Sequence, residues 1–433
     1  MKNLRILTLC LFVLFIGVSA LTAKTEQKLI SPDQSVLDKF GIDVAVSGDT
    51  VVVGASSGNP LGPVTGAAYV YHRNQGGGDA WGHVATLTAS DLQVSSRFGA
   101  AVDIDGDLII IGAPDADASG AAYIFLRNQG GPDAWGEVVK LEPPGVSAGS
   151  FGSSVGISGE TAVVGDLMDG TQGTQAGAAV VFVQGVGGPT DWDDVATLFP
   201  SGHDSGNNFG IAVDIDGDLV VAGELYGNGA EDFTGAAYVF GRHVGGTDGW
   251  GEMEKMSASN GNAYDFFGAD VAIDGDTVIV GASRVGTISG SAYLFRRDEG
   301  GTDAWGEVKI IPPPGGATGE YFGSSVALSG TTIVCGAPFA EGTNGATYGF
   351  SRNHGGDANW GLAATLTASD GANGDQFGTS IAKDGSTIVV GAPFESGAGS
   401  SSGAAYIYFT PSGEIFNDGF EGGDSSVWDS TAN

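Results

Sequence analysis

A Phe-Gly pair recurs seven times along the 433-residue chain, at Phe40, Phe98, Phe151, Phe209, Phe267, Phe322 and Phe377, at intervals of 53 to 58 residues. A period of that length marks one supersecondary unit per repeat, a unit too small to bury its own apolar face and therefore obliged to pack on its neighbours. Within each unit the residue pattern changes four times. The first segment alternates, as in Phe209, Ile211, Val213 and Ile215, which is the period of a half-buried strand. A two-residue turn follows, Asp216-Gly217 or Ser47-Gly48. The second segment is a short continuous apolar run ending in Gly-Ala, such as Val51 to Val53 before Gly54, and reads as an inner strand covered on both faces. The third opens on glycine and alanine and ends on aromatics, as in Gly66-Ala67-Ala68-Tyr69-Val70-Tyr71. A Gly-rich loop then leads to a tryptophan and a fourth strand, Trp81 to Leu87.

Four antiparallel strands repeated seven times predict an all-β chain folded as a seven-bladed β-propeller. Fourth strands follow only six of the units, after Trp81, Trp135, Trp192, Trp250, Trp305 and Trp360. The missing strand is expected at the other end, because Leu29 precedes Phe40 by the spacing with which Leu87 precedes Phe98. Residues 25 to 33 are thus expected to complete blade seven and close the ring. The expected domains are a signal peptide (1–20), the propeller (21–410) and a C-terminal tail (411–433).

The signal peptide is read from Lys2 and Arg5, the apolar run from Ile6 to Val18 and the small residues Val18-Ser19-Ala20 at a cleavage point. The run is shorter than the ~20 residues a spanning helix requires, so no membrane span is expected. Cleavage leaves one cysteine, Cys335, in an apolar segment where other units have Val or Ile, so it is expected to be buried and inert. The formal net charge of −34 argues against nucleic acid and anionic membranes as partners. A secreted or cell-surface protein is expected, and a monomer.

With Phe-Gly opening each unit, Gly-Ala-Pro at Gly112, Gly336 and Gly391, and Gly-Ala-Ala-Tyr after it, the chain resembles the FG-GAP repeat family, which includes the propeller head of integrin α subunits and many secreted bacterial proteins. The resemblance runs from about Thr25 to Phe409 and implies a recognition platform. Many members hold calcium in a first-to-second-strand loop of three or more acids. Here Asp103-Ile104-Asp105-Gly106-Asp107 and Asp214-Ile215-Asp216-Gly217-Asp218 are too short to wrap an ion that takes 6–8 oxygens, and read as hairpin turns with solvated acids. Calcium stays a possible cofactor, with Asp115 and Asp117 as its candidate ligands.

The loops joining second to third and fourth to first strands vary from unit to unit and share one face of the ring, where binding residues are expected. Acids are expected to project from it: Asp91, Asp115, Asp117, Asp166, Asp169, Asp204, Glu224, Glu231, Asp232, Asp265, Glu320, Glu341, Asp370, Asp375 and Glu395. Units three and four break Gly-Ala-Pro with Gly165-Asp166 and Gly223-Glu224, so the candidate ligand residues are Asp166, Asp169, Glu224, Tyr226, Glu231 and Asp232. The five histidines show no metal or catalytic spacing, and no GxSxG or P-loop is present. Binding or adhesion to an extracellular protein or glycan is the expected function. The alternatives are a secreted carbohydrate-active hydrolase or lyase using channel-facing carboxylates, and a purely structural surface or matrix protein. The arginines that recur before five of the six tryptophans, Arg73, Arg127, Arg242, Arg297 and Arg352, are expected to fix loops.

Overall fold

The alternating and continuous apolar segments become strands where expected. The computed structural model describes residues 25–409, apart from residues 34, 59–64, 76, 92–93, 146–148, 203, 230–232, 245, 285–288, 317–318, 357 and 398. The expected signal peptide and the tail lie outside the described residues. Seven sheets of four antiparallel strands stand in a ring. Blade 1 is Phe40–Ser47, Thr50–Ala55, Ala67–Arg73 and Trp81–Leu87, in that order from channel to rim. Blade 7 orders Ile381–Asp384, Thr387–Ala392, Ala404–Phe409 and then Thr25–Leu29, so the first strand of the chain is the outermost strand of the last blade. Thr25 stands opposite Phe409 and Leu29 opposite Ala405, closing the ring as the strand count requires.

The repeated motif has a physical reason at each letter. The phenylalanine of each pair is fully buried and meets the aromatics of the third strand edge-on; Phe98 lies 5.4 Å from Tyr123 and 6.0 Å from Phe125 between ring centres. The glycine before the alanine of the second strand faces the next blade's backbone. A Cβ on Gly112 would stand 2.1 Å from the Gly152 carbonyl oxygen, and the same contact recurs at every seam, at 2.0–2.2 Å. No other residue permits backbones so close. The core runs between blades as well as within them, joining Ala45 and Val52 of blade 1 to Phe98, Ile109 and Tyr123 of blade 2. Cys335 sits fully buried in one of these seams, and desolvation pushes its thiol far above the usual range, as an inert small apolar residue should be.

The tight turns at the channel mouth carry a second ring of contacts. In each blade the Ser or Asp before the turn glycine accepts the N–H of the turn glycine in the next blade. Ser47 Oγ takes Gly106 N–H at 3.1 Å, Asp105 Oδ2 takes Gly159 N–H at 2.7 Å, and the series runs through Ser158, Asp216, Asp274 and Ser329 to Asp384, which takes Gly48 N–H at 2.7 Å. Seven seams carry seven such bonds. Four of the five recurrent arginines pair with the acid after the turn glycine, as Arg127 does with Asp107 at 3.6 Å and Arg242 with Asp218 at 3.7 Å.

One sequence expectation is overturned here. Asp103 lies on the first strand, as the sequence places it, and Asp214 does likewise, but neither is a solvated acid: both face the channel. Asp103 Oδ2 accepts Ile157 N–H and Asp214 Oδ2 accepts Ile273 N–H, each from the next blade's innermost strand. Asp43 and Asp270 do the same one level away, for Val102 and Val326. Innermost strands have an unpaired edge, and these carboxylates satisfy part of it. Desolvation is the main cause that pushes Asp43 and Asp270 up to about 7 and Asp103 up to about 6, and it raises Asp214 well above the ordinary range.

Three outcomes follow. Removing residues 25–33 exposes the edge of Ala404–Phe409, lowers the unfolding midpoint and promotes oligomers, measured by thermal unfolding and light scattering; a monomer of unchanged midpoint contradicts the closure. Gly112→Ala destabilises by about 2–3 kcal/mol in denaturant titration, through backbone displaced at a seam. The channel acids hold protons in the folded state that the unfolded chain, with carboxyls near their ordinary value of ~4, has already lost. Stability therefore falls as pH rises from about 4 to about 7 and flattens above, and Asp103→Asn with Asp214→Asn reduces that slope; a midpoint that rises across the same window contradicts the assignment.

Candidate functional site

The varied face is built on one recurring cross-strand pair. The tyrosine of Gly-Ala-Ala-Tyr stands opposite the penultimate residue of the fourth strand, giving Tyr123 with Lys140, Tyr238 with Lys255 and Tyr406 with Lys28 in blades 2, 4 and 7. In these the ammonium lies 5.4–5.8 Å from the tyrosine ring centre, a cation–π contact. The tyrosine hydroxyl donates to an acid or amide of the loops above: Tyr123 to Asp91, Tyr238 to Glu224, Tyr293 to Asn260 and Tyr406 to Asp370, all at 2.8–2.9 Å.

Many of the acids expected to project outward are consequently inside. Asp166, Asp169, Glu224, Asp265, Asp375 and Glu395 are buried, because each turns inward to bind a loop N–H or a neighbouring side chain. Asp265 accepts Asn262 N–H and Asp375 accepts Ala372 N–H, both at 2.7 Å. Lysines reached from the fourth strand neutralise others: Lys140 meets Asp91 at 2.7 Å and Asp117 at 2.6 Å, and Lys28 meets Asp370 at 2.7 Å and Glu395 at 3.0 Å. Asp115 is gripped by the Arg97 guanidinium, at 2.9 Å for the longer of two contacts. The two candidate calcium ligands thus each already hold a cation. Among the described residues no group of three or more His, Cys, Asp or Glu side chains is placed to hold a metal ion.

Blade 3 departs from this pattern. Val180 replaces the tyrosine and Thr197 stands opposite it, the smallest pair in the ring. The space left is a cleft of about 300 Å³, lined by Val180 and Thr197, by Asp166 at the end of the second strand, by Asp169 and Gln172 from the loop after it, and by Phe199 and Pro143. Asp166 is 1% exposed; its Oδ1 accepts Ser150 N–H at 2.6 Å and Met168 N–H at 3.3 Å. Desolvation, followed by the Asp169 charge, pushes its carboxyl up to about 6. Asp169 accepts the N–H of Thr171 at 2.9 Å and its hydroxyl.

The expected site residues therefore divide. Asp166 and Asp169 come together in the cleft. Glu224 is committed to Asn207 Nδ2 at 2.9 Å and to the Tyr238 hydroxyl, which gives it a structural task in blade 4. Tyr226 packs edge-on against Phe266, 5.5 Å between ring centres. Asn208 ties the two loop sets together by donating to the Leu167 carbonyl at 2.9 Å. Glu231 and Asp232 lie outside the described residues. The sequence reading missed Val180, Thr197 and Phe199, although a comparison of the seven Gly-Ala-Ala-Tyr segments points to the first.

The channel is a second cavity, of about 360 Å³, lined by the four aspartates above and by Lys383. The carboxylates there spend their oxygens on backbone N–H groups. Burial pushes the Lys383 ammonium down to about 8, and it donates to the Gly385 carbonyl at 2.8 Å.

Among solved structures, the chain is similar to the periplasmic gluconolactonase PpgL of Pseudomonas aeruginosa, at 14% identity and a TM-score of 0.47, over 75% of this chain and 84% of that one. No curated protein matches it in sequence. The FG-GAP repeat profile matches seven times, at residues 24–71, 81–125, 135–182, 192–240, 250–295, 305–350 and 360–408. With nearly the whole ring covered, each match running from the fourth strand of one blade through the third strand of the next, the chain belongs to the FG-GAP repeat family.

Proposed function

We propose that this protein is an extracellular binding propeller that holds a saccharide residue of a glycan in the blade 3 cleft. The observation that carries the reading is the cleft itself, where Val180 takes the place of the tyrosine that the other six blades carry and faces a threonine. Carboxylates, a threonine hydroxyl and the Gln172 amide supply hydrogen-bond partners, while Phe199 and Pro143 supply an apolar wall. A sugar ring offers the matching surfaces, hydroxyls at its edge and C–H groups on its face. The same side of the ring carries a flat aromatic surface between blades 4 and 5. Phe233 and Tyr264 are 46% and 54% exposed, with their rings parallel within 2° and 5.8 Å between centres. Exposed aromatic faces of this kind favour contact with a ligand that extends beyond the cleft. The large negative charge favours a neutral glycan over an anionic one. No helix among the described residues is long and apolar enough to cross a membrane.

A second reading, hydrolysis or lysis of the bound glycan, draws support from Asp166. A carboxyl pushed up to about 6 keeps its proton at mildly acidic pH, where an ordinary carboxyl has lost it, and has the Asp169 carboxylate as a neighbour, which suits a general acid. The cleft is a better place for such chemistry than the channel, whose acids are committed to the seams.

The test is binding of the protein to an array of neutral and acidic glycans, followed by Asp166→Asn on each glycan retained. The expected result is retention of a neutral glycan and at least a tenfold loss of affinity in the variant, with the unfolding midpoint little changed. Glycan binding that Asp166→Asn leaves intact contradicts the assignment to the cleft; release of reducing ends from the bound glycan, lost in the variant, favours the second reading.

A further inference from the structure

Blade 1 carries all but two of the members of a side-chain set that blade 7 completes. In blade 7, Lys28 lies over the Tyr406 ring at 5.6 Å and bonds Asp370 at 2.7 Å and Glu395 at 3.0 Å, and its charge reaches Asp375. The blade 1 counterparts are Tyr69, whose hydroxyl donates to Asp33 at 2.9 Å as Tyr406 does to Asp370, and Asp38, which takes Ser35 N–H as Asp375 takes Ala372 N–H. Opposite Tyr69, where blades 2, 4 and 7 place lysine, stands Thr86, and the position of Glu395 is Gly58. Asp33, Asp38 and the ring are present without the ammonium and without the second acid that Lys28 bonds; His83 lies beside the ring, 6.1 Å between centres, within hydrogen-bond distance of Thr86 at 3.0 Å.

An independent observation marks the same spot. Asp38 is fully buried, with no exposed surface, and its Oδ1 has no hydrogen-bond partner among the described residues. A carboxylate oxygen left so is costly unless something pairs with it. We propose that blade 1 is a binding site for a primary ammonium group on an alkyl arm, seated over the Tyr69 ring against Asp33 and within charge range of Asp38, in the place that blade 7 fills with Lys28. Burial, with the Asp33 charge behind it, pushes Asp38 up to about 7, and a cation in the seat relieves both costs. An ammonium fits better than calcium: two carboxylates fall short of the oxygens that calcium collects, whereas the aromatic wall suits an organic cation. The ammonium can come from a free amine or from a lysine side chain of a partner polypeptide. The site is separate from the blade 3 cleft and does not depend on the glycan reading.

The test is thermal unfolding of the whole protein with n-butylammonium or the capped peptide acetyl-Gly-Lys-Gly-amide, against sodium and tetramethylammonium at equal ionic strength. Both probes are expected to raise the midpoint by several degrees where the two control cations do not. A larger shift with the peptide at equal concentration assigns the source to a polypeptide lysine, and equal shifts assign it to the free amine. Thr86→Lys supplies its own ammonium, so its midpoint is expected above that of the wild type and its response to either probe is lost. Lys140→Thr opens the corresponding place over the Tyr123 ring in blade 2, beside Asp91 and Asp117, and its lost stability is expected to return with n-butylammonium, a readout that holds if Thr86→Lys fails to fold. Equal shifts with sodium, a probe response that survives Thr86→Lys, a calcium response without an ammonium response, or no rescue of Lys140→Thr would each overturn the proposal.

Discussion

Everything in this ring depends on how closely two blades can approach. The contact is backbone to backbone, with the second-strand glycine of one blade against the carbonyl of the next blade's Phe-Gly glycine. The glycine that opens each third strand bridges in parallel to the phenylalanine of the next blade, as Gly66 does to Phe98 and Gly403 to Phe40. Because the seams are made of main chain, all seven are alike whatever side chains the loops carry. The loops are therefore released from holding the ring together and are open to variation.

Electrostatics follow from the same geometry. A chain with 51 acids and 17 bases places several of its carboxylates inside, turned to backbone N–H groups at the seams and at the loop corners. Where a lysine is also available, as in blades 2 and 7, its cation holds Asp91 and Asp370 below the usual carboxylate range, although burial alone would raise them. Where none is available, as at Asp43, Asp38 and Asp166, desolvation dominates and the carboxyl is raised.

The architecture was legible because it rests on period and spacing. Seven Phe-Gly pairs, four segment types and the distance from Leu29 to Phe40 suffice for blade number, strand order and closure. The functional face was legible only in part. Asp166 and Asp169 stood out because they interrupt Gly-Ala-Pro, but the same interruption at Glu224 proved structural, since a tyrosine hydroxyl and Asn207 consume both its oxygens. Burial of a loop acid depends on which N–H groups curl around it, and spacing does not encode that. Nor did the alternation in Asp103-Ile104-Asp105 reveal that Asp103 meets the neighbouring blade, a partner 54 residues away.

The central claim is that ligand recognition occupies the places where the repeat omits its own filling residues, above all the Val180 and Thr197 pair. The most direct measurement is ligand affinity of a variant that restores the repeat there, Val180→Tyr with Thr197→Lys. The account predicts a folded ring at least as stable as the wild type, with glycan binding abolished because tyrosine and lysine now fill the cleft. A restored repeat that binds as tightly as the wild type would contradict it.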